Sequence, residues 1–440
     1  MKVAKFGGSS VSDAQQFRKV KAIVEADPER KVLVISAAGK RYKDDHKLTD
    51  LLYLCHAHLN YGVSCDDIFA SIRWRFIEIR DELGLDFRIE DELDALRAKL
   101  SKDSSADELV SRGEYFTARL MAEFLGYTFV DAADCIFFGY DGRIDRKQTD
   151  AAIKAAVEKY GKVVIPGFYG RLATGKIKVM TRGGSDITGA LAAAAIDADV
   201  YENWTDVSGI FMADPRIVEN PKAINKMSYA ELRELAFMGA SVLHEESVQP
   251  VRDKGIPLNI RNTNDPAHPG TMIVGSFDQE QAAGEEEQRF ITGIAARRNF
   301  SIITVSKHDM NTTQTLRQTL EILDRYHAGV EHITLGLDTF AIVTSSAALG
   351  DSIYQMIGDI QKSCRPDDIQ QQDGIALVAA VGRKMTFRPG TSGKIFKALG
   401  EHGVNVRTIA QSADELSIIV GVDNKDYETA VRVLYEGFAA

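Results

Sequence analysis

The chain has 440 residues, of which 45% are hydrophobic and 26% charged, and a formal net charge of −10. That length exceeds one simple core and predicts two or three domains. The acidic balance excludes the broad basic face that a nucleic acid demands, though not a nucleotide held by local cations and helix N-termini, and no apolar run approaches the ~20 residues of a membrane span.

In chain order, Val3–Phe6 is a short apolar strand, and Val11–Ala26 carries Val11, Phe17, Val20, Ile23 and Val24 at helical spacing. Lys31–Ser36 (KVLVIS) is a continuous apolar run, as expected of a strand buried on both faces. Leu48–Leu59 is helical again. Residues 64–105, rich in Arg, Asp, Glu, Leu and Ala, break the alternation and read as a helical insertion at the edge of the sheet domain. Strands follow at Lys162–Phe168, Ile177–Met180, Val200–Val207 and Pro257–Arg261, with helices between them. The expected fold class is α/β, a mostly parallel sheet sandwiched by helices. This domain spans 1–280 and ends at the polar, acidic linker 276–289 (SFDQEQAAGEEEQR).

Beyond the linker, strands at Ile291–Ser306, His332–Leu335 and Phe340–Thr344 accompany a helix at Thr313–Tyr326. Gly374–Val381, a helix at Thr391–Glu401, strands near Val404–Ile409 and Leu416–Val422 and a last helix at Tyr427–Phe438 repeat the cycle. Two approximate βαββαβ cycles make 290–440 a pair of small ferredoxin-like modules, divided near residue 372 unless they interleave. Cys55, Cys65, Cys135 and Cys364 form no CxxC pair and match no zinc spacing, and MKVAKFGG lacks the apolar centre of a secretion signal. Both features predict a chain in the reducing cytoplasm.

Three segments have the composition of a site. The first strand runs into Lys5-Phe6-Gly7-Gly8-Ser9-Ser10. Paired glycines let backbone N–H groups close on a ligand, and the lysine points to an anion. It is not a P-loop, whose lysine follows a longer glycine-bracketed loop; a tight turn with a surface lysine is the plainer alternative. The second segment, TRGGSD at 181–186, leads into an alanine-rich helix. Ser185 and Asp186 suit an N-cap and a first turn, but capping alone does not call for Arg182 and both glycines, so an anion-handling site is favoured. The third, WTDVSGIFMADPR at 204–216, leaves a buried strand at the edge where open α/β sheets bind ligands; the alternative is a hairpin with a solvated Arg216.

KFGGSS, LTDLL at 48–52, SRGE at 111–114, PGF at 166–168, TRGGSD and WTDVSGIFMADPR occur in the order seen in the aspartate kinases of the amino-acid kinase family. The tail resembles their paired ACT regulatory modules, especially FRPGTSGKIFKALGEHGVNVRTIAQSADELSIIVGVD at 387–423. The resemblance covers nearly the whole chain. It implies transfer of the γ-phosphate of ATP, with Mg2+ bridging the phosphates, to the side-chain carboxylate of L-aspartate. Lys5 and the amides of Gly7 and Gly8 would hold the transferring group, with Asp186 organising the transfer site. Arg182 would clamp a substrate carboxylate and Glu114 would meet the substrate ammonium. Ser36, Ala37, Thr49, Phe168 and Ser185 would line the aspartate pocket, and Ser9, Thr205, Asp206, Phe211 and Arg216 would contact ATP. Read without the resemblance, Glu114 is a helix-surface carboxylate, Thr49 an N-cap and Phe168 a core residue.

The resemblance also implies ACT modules that pair between chains, in a dimer or tetramer, and bind an end-product amino acid. Lysine is the first choice, with Met310, Thr313, Val330 and Glu331 as contacts and threonine as the alternative. Three positions depart from the family pattern. Ser9 replaces a threonine, Phe211 stands where tyrosine is common, and Ser241 occupies the place of a nucleotide-contacting lysine, so that either ATP binding loses one cation or nearby Lys222 or Lys226 supplies it. Two rival readings are a kinase of another small amino acid and a catalytically inactive amino-acid sensor. No nucleic acid and no membrane are expected as partners.

Overall fold

A computed structural model describes residues 1–181, 183–240, 243, 245–275, 291–308, 312–350, 352–383, 385, 389–411 and 414–439. The linker at 276–289 lies outside them. The chain forms two compact units. The first comprises Met1–Ile210, Ala223–Tyr229 and the described part of 241–277. The second comprises Phe211–Lys222, Ala230–Ala240 and the described part of 278–440, so two short segments that the sequence reading places with the sheet domain cluster with the tail.

The first unit is built on eight strands: β1 (Lys2–Phe6), β2 (Arg30–Ile35), β3 (Thr128–Phe129), β4 (Val163–Pro166), β5 (Val200–Thr205), β6 (Lys226–Ser228), β7 (Leu258–Asn262) and β8 (Thr271–Val274). Their order across the sheet is β6-β8-β7-β5-β1-β2-β4-β3. Every pairing is parallel except β7 with β8. The apolar runs of β1, β2 and β4 are buried along nearly their whole length, as central parallel strands covered on both faces must be.

Helix α1 (Ala14–Glu25) begins later than its apolar pattern suggests. Asp13 accepts a bond from the Gln16 N–H at 2.9 Å and caps the helix there, leaving Gly8–Val11 as a separate 3-10 turn. The other helices that matter for the site are α2 (Leu48–Asn60), α3 (Asp66–Leu83), α4 (Ile89–Lys99), α5 (Arg112–Leu125) and α6 (Gly184–Ala195). The insertion is helical, as α3 and α4, but it is not an appendage at the edge. Phe69, Ile72, Phe76, Ile79 and Leu93 share one continuous core with Phe6, Phe17, Leu33 and Ile35.

The second unit is a six-stranded antiparallel sheet in the order β10-β11-β9-β12-β14-β13. Its strands are β9 (Gly293–Ser306), β10 (Val330–Leu335), β11 (Thr339–Ser345), β12 (Asp368–Val381), β13 (Val406–Gln411) and β14 (Ser417–Asp423), and its helices α7 (Thr312–Arg325), α8 (Ser352–Cys364), α9 (Thr391–Glu401) and α10 (Tyr427–Ala439). The strands β9 and β12, 14 residues each, pair from Gly293↔Val381 to Ser306↔Asp368. One half of this ribbon belongs to a core with α7 and α8, around Ile303, Ile322, Ile342 and Met356. The other half belongs to a core with α9 and α10, around Ile294, Val378, Leu399 and Leu434.

Behind the central strands of the first unit, Arg30 and Glu202 form a buried two-point ion pair at 2.6 and 3.0 Å. The Trp204 indole N–H donates to the same carboxylate at 2.9 Å, and the Arg261 guanidinium lies 4.5 Å over the ring. Removing one partner of a buried pair strands the other. Glu202→Ala is therefore expected to lower unfolding stability by about 3–5 kcal/mol, read from urea midpoints. A loss of under about 1 kcal/mol, the value of an exposed pair, would show that this network contributes little.

Candidate active site

Lys5 lies on β1 and is buried, with its ammonium 2.6 Å from the Asp186 carboxylate and 3.4 Å from the Asn203 side-chain oxygen. Asn203, on β5, donates its amide to the same Asp186 oxygen at 2.9 Å. Two adjacent strands and the first turn of α6 thus converge on one carboxylate. Gly183 precedes that helix at φ 75°, and no side chain caps it. The capping alternative for Ser185 therefore fails, since Ser185 is the second helical residue and its turn faces the cavity. The open N-terminus favours negative charge.

The loops that leave the sheet edge are held close together. The Ser36 N–H donates to the Phe6 carbonyl and the Gly167 N–H to the Ile35 carbonyl, which extends the ladder beyond the strands. The Gly39 N–H donates to the Gly8 carbonyl at 2.8 Å. A Cβ on Gly39 would stand 2.6 Å from the Gly8 carbonyl carbon, so only glycine permits this approach. The Gly7 N–H is bonded to the Trp204 carbonyl at 2.9 Å. Its expected role as a phosphoryl-holding amide is corrected accordingly, because the parallel ladder already consumes that donor. Phe168 sits at φ 77°, a conformation costly for a bulky residue, and packs against Gly184, where a Cβ would meet its ring at 2.7 Å.

These elements enclose a cavity of about 580 Å³. Of the residues singled out from sequence, it brings together Lys5, Gly8, Ser9, Ser36, Ala37, Thr49, Glu114, Phe168, Ser185, Asp186 and Asp206. Thr205 is not among the lining residues, and its hydroxyl donates to Asp206 at 3.2 Å. Thr49 is not an N-cap; Lys47 holds that position. Phe168 is only half-buried and lines the cavity. Glu114 is not a surface carboxylate. It is 4% exposed, and its Oε2 has no hydrogen-bond partner among the described residues. Burial pushes its pKa up to about 8, against the weaker opposing pull of its own N–H and that of Ala37. A buried acid with an unpaired oxygen is suited to receive a cation.

Arg182 and Ser241 lie outside the described residues, as does Met310. Phe211 and Arg216 belong to the second unit, where Arg216 is exposed and pairs with Asp214 at 2.6 Å. Arg216 holds the Asp214 carboxyl below its usual range. Thr313 is exposed in the first turn of α7, Val330 is exposed on β10, and the neighbouring Glu331 carboxylate lies 3.3 Å from Arg297. Lys222 falls in the second unit and Lys226 on β6 of the first. Sequence reasoning missed Asn203, Gly39, Lys40 and Lys47. Asn203 stands beside Glu202 in a strand of mixed polarity, and Gly39-Lys40 follows β2 after three residues, but neither signal is specific.

Residues 1–262 match the amino acid kinase family and residues 378–438 match the ACT domain. The chain is 33% identical over 456 residues to aspartokinase 3 of Bacillus subtilis, covering 100% of this chain and 99% of that one. It is 28% identical to the lysine-sensitive aspartokinase 3 of Escherichia coli, covering 98% of each. The crystal structure of Clostridium acetobutylicum aspartate kinase superposes with a TM-score of 0.91 at 45% identity, covering 99% of both chains. That of E. coli aspartokinase III in complex with aspartate and ADP gives 0.77 at 26%, covering 100% of both.

The raised pKa of Glu114 has a thermodynamic consequence. Between its ordinary value of 4.5 and about 8 the folded chain holds a proton there that the unfolded chain has released. Its contribution to stability is therefore full below pH 4.5 and is lost as pH rises through 8. Glu114→Gln is expected to become progressively more stable than the parent across this window, by up to ~4 kcal/mol, in urea unfolding at pH 5, 7 and 9. A constant difference across those three pH values would mean that the carboxyl is not protonated in the fold.

Proposed function

The chain belongs to the amino acid kinase family and, within it, to the aspartate kinases, and from that premise we propose that its cavity transfers the γ-phosphoryl group of ATP to the side-chain carboxylate of L-aspartate. The observation that carries this reading is the cavity itself, lined both by the Lys5–Asp186 pair and by the buried Glu114 with its unpaired oxygen. The first suits a phosphoryl group and the second an ammonium.

In the reaction, a carboxylate oxygen bonds to the γ-phosphorus as the bond to the bridging oxygen breaks. ADP leaves with that electron pair, and 4-phospho-L-aspartate is the product. A carboxylate with a pKa near 4 is already ionised at neutral pH, so no general base is needed. The barrier lies in bringing two anions together, and it falls through positioning and charge neutralisation. Lys5 meets the transferring group, with Asp186 and Asn203 fixing where its ammonium points, and the Gly8 backbone and the first turn of α6 complete the cradle. Glu114 ionises when the substrate ammonium arrives. Ser36, Ala37, Thr49, Phe168 and Ser185 shape the aspartate pocket, and Arg182 clamps the α-carboxylate with a two-point fork. Ser9, Thr205 and Asp206 serve the nucleotide. Mg2+ neutralises the phosphates when it is bound. The Asp206 carboxylate, which lines the cavity, would be the protein group that holds it.

The regulatory part of the proposal rests on the ACT match and on the lysine-sensitive relative. Lysine, with threonine as the alternative, binds near Thr313, Val330 and Glu331, with Met310 as a further contact. It acts by favouring an inactive state. The modules pair two chains or more in the cytoplasm, and the enzyme stands at the first step of the route to lysine, threonine and methionine.

Two measurements test this reading. With ATP, Mg2+ and aspartate, hydroxylamine should trap an acyl phosphate, and Lys5→Met should lower kcat about a hundredfold or more in a protein that still folds. Near-normal turnover in folded Lys5→Met would refute the role of that lysine. Separately, lysine, threonine and methionine are titrated alone and in pairs. Lysine should inhibit at millimolar concentration, and Glu331→Ala should blunt the effect. No response to any of them would remove the feedback proposal and leave the kinase reading intact.

A further inference from the structure

The loop between β2 and α2, residues 36–47, carries two lysines to the cavity, Lys40 and Lys47. Neither forms an ion pair among the described residues, and Lys40 makes only a long contact of 3.4 Å to the Lys43 carbonyl. Lys5, the other lysine lining the cavity, is engaged by Asp186. The loop itself is held firmly by other groups. Arg75, on α3 and 3% exposed, donates to the Gly39 carbonyl and to the His46 carbonyl at 2.8 Å, and lies 3.4 Å from Asp45. Arg41 bonds Asp45 at 2.9 Å and reaches Glu78, on the same helix, at 2.8 Å. Both ends of the 39–46 segment are thus tied to the inserted helix, and Gly39 is tied in turn to Gly8. The fold needs neither lysine for this anchoring, yet both are exposed and line a cavity read as bringing two anions together.

We propose that Lys40 and Lys47 neutralise the phosphates of the bound nucleotide during transfer, and that Arg75 is the positioning residue that holds their loop over the site. The assignment rests on the ATP-dependent reading above. It gives the helical insertion a function, because α3 supplies the anchor for a substrate loop.

The test compares adenosine, ADP and ATP binding by calorimetry in the full chain, its Lys40→Met, Lys47→Met and double variants, alongside steady-state kinetics. A phosphate-neutralising role predicts unchanged adenosine affinity, ADP weakened several-fold and ATP weakened tenfold or more in the double variant. The kcat falls about tenfold as well, and the Lys40→Arg, Lys47→Arg pair restores both. Both lysines are exposed, so these variants leave the core intact. Arg75→Lys, which keeps the charge but loses the fork to two carbonyls, should lower kcat while adenosine affinity stays unchanged. Should Arg75→Lys not fold, Glu78→Gln, which loosens Arg41 at the surface, should give the same change more weakly. The proposal is overturned if adenosine, ADP and ATP binding weaken equally, or if the double variant keeps both kcat and ATP affinity. Absence of acyl phosphate from the unaltered protein would instead overturn the underlying reading, since the phosphate-number dependence of binding is read without turnover.

Discussion

The contact on which the site depends is the Lys5–Asp186 ion pair. Lys5 is fixed by a parallel strand in the middle of the sheet, and Asp186 by the first turn of the helix that follows the second glycine pair. An ammonium buried at the end of β1 is costly without a partner, and an acidic residue at a helix N-terminus is favoured there by the backbone itself. Each group makes the other's position tolerable. The shared bond from Asn203 then selects one geometry among those the pair allows. Everything else in the cavity is arranged around this point, because the loops after β1, β2, β4 and β5 all leave the sheet at the same edge.

Close backbone approach makes that edge compact. Gly8 and Gly39 let two loops touch, and Gly184 leaves room for Phe168 in a left-handed conformation. The result is a small, polar site whose walls are carried by rigid elements. The inserted helices extend this logic outward. Their apolar faces join the main core, and their polar face, through Arg75 and Glu78, grips the loop that follows β2. A segment that breaks the regular alternation of strand and helix is therefore part of the machinery that shapes the cavity.

The second unit solves a different problem. Its long β9–β12 ribbon serves two cores at once, so each module completes the sheet of the other. It also includes two short segments, Phe211–Lys222 and Ala230–Ala240, from ahead of the linker. Glu231, in one of them, is fully buried and accepts bonds from Thr292 and Arg383 within this unit. A charged side chain at such depth holds the segment to one arrangement, since sliding it would leave the carboxylate unpaired.

Much of this was legible in the residues alone. The apolar runs of β1, β2 and β4, the alanine-rich helix after TRGGSD, the helical insertion and the doubled βαββαβ pattern follow from hydrophobic period and turn chemistry, which are local properties. The motifs in order identified the family and most of the cavity's lining. Local pattern carries no information about what a side chain meets from a distant part of the chain. Glu114 has the sequence signature of a surface residue in the first turn of a helix, and only packing against the loop after β2 buries it and raises its pKa. The Gly7 amide resembles a free donor until the ladder to Trp204 is drawn. Lys40, Lys47 and Arg75 are ordinary cations in a charged stretch until tertiary structure turns two of them toward the cavity and buries the third against two carbonyls. The sequence by itself determined the elements, their order and the chemistry available. Tertiary structure decided which donors are already spent and which charges lack a partner, because both depend on desolvation and on contacts between residues far apart in the chain.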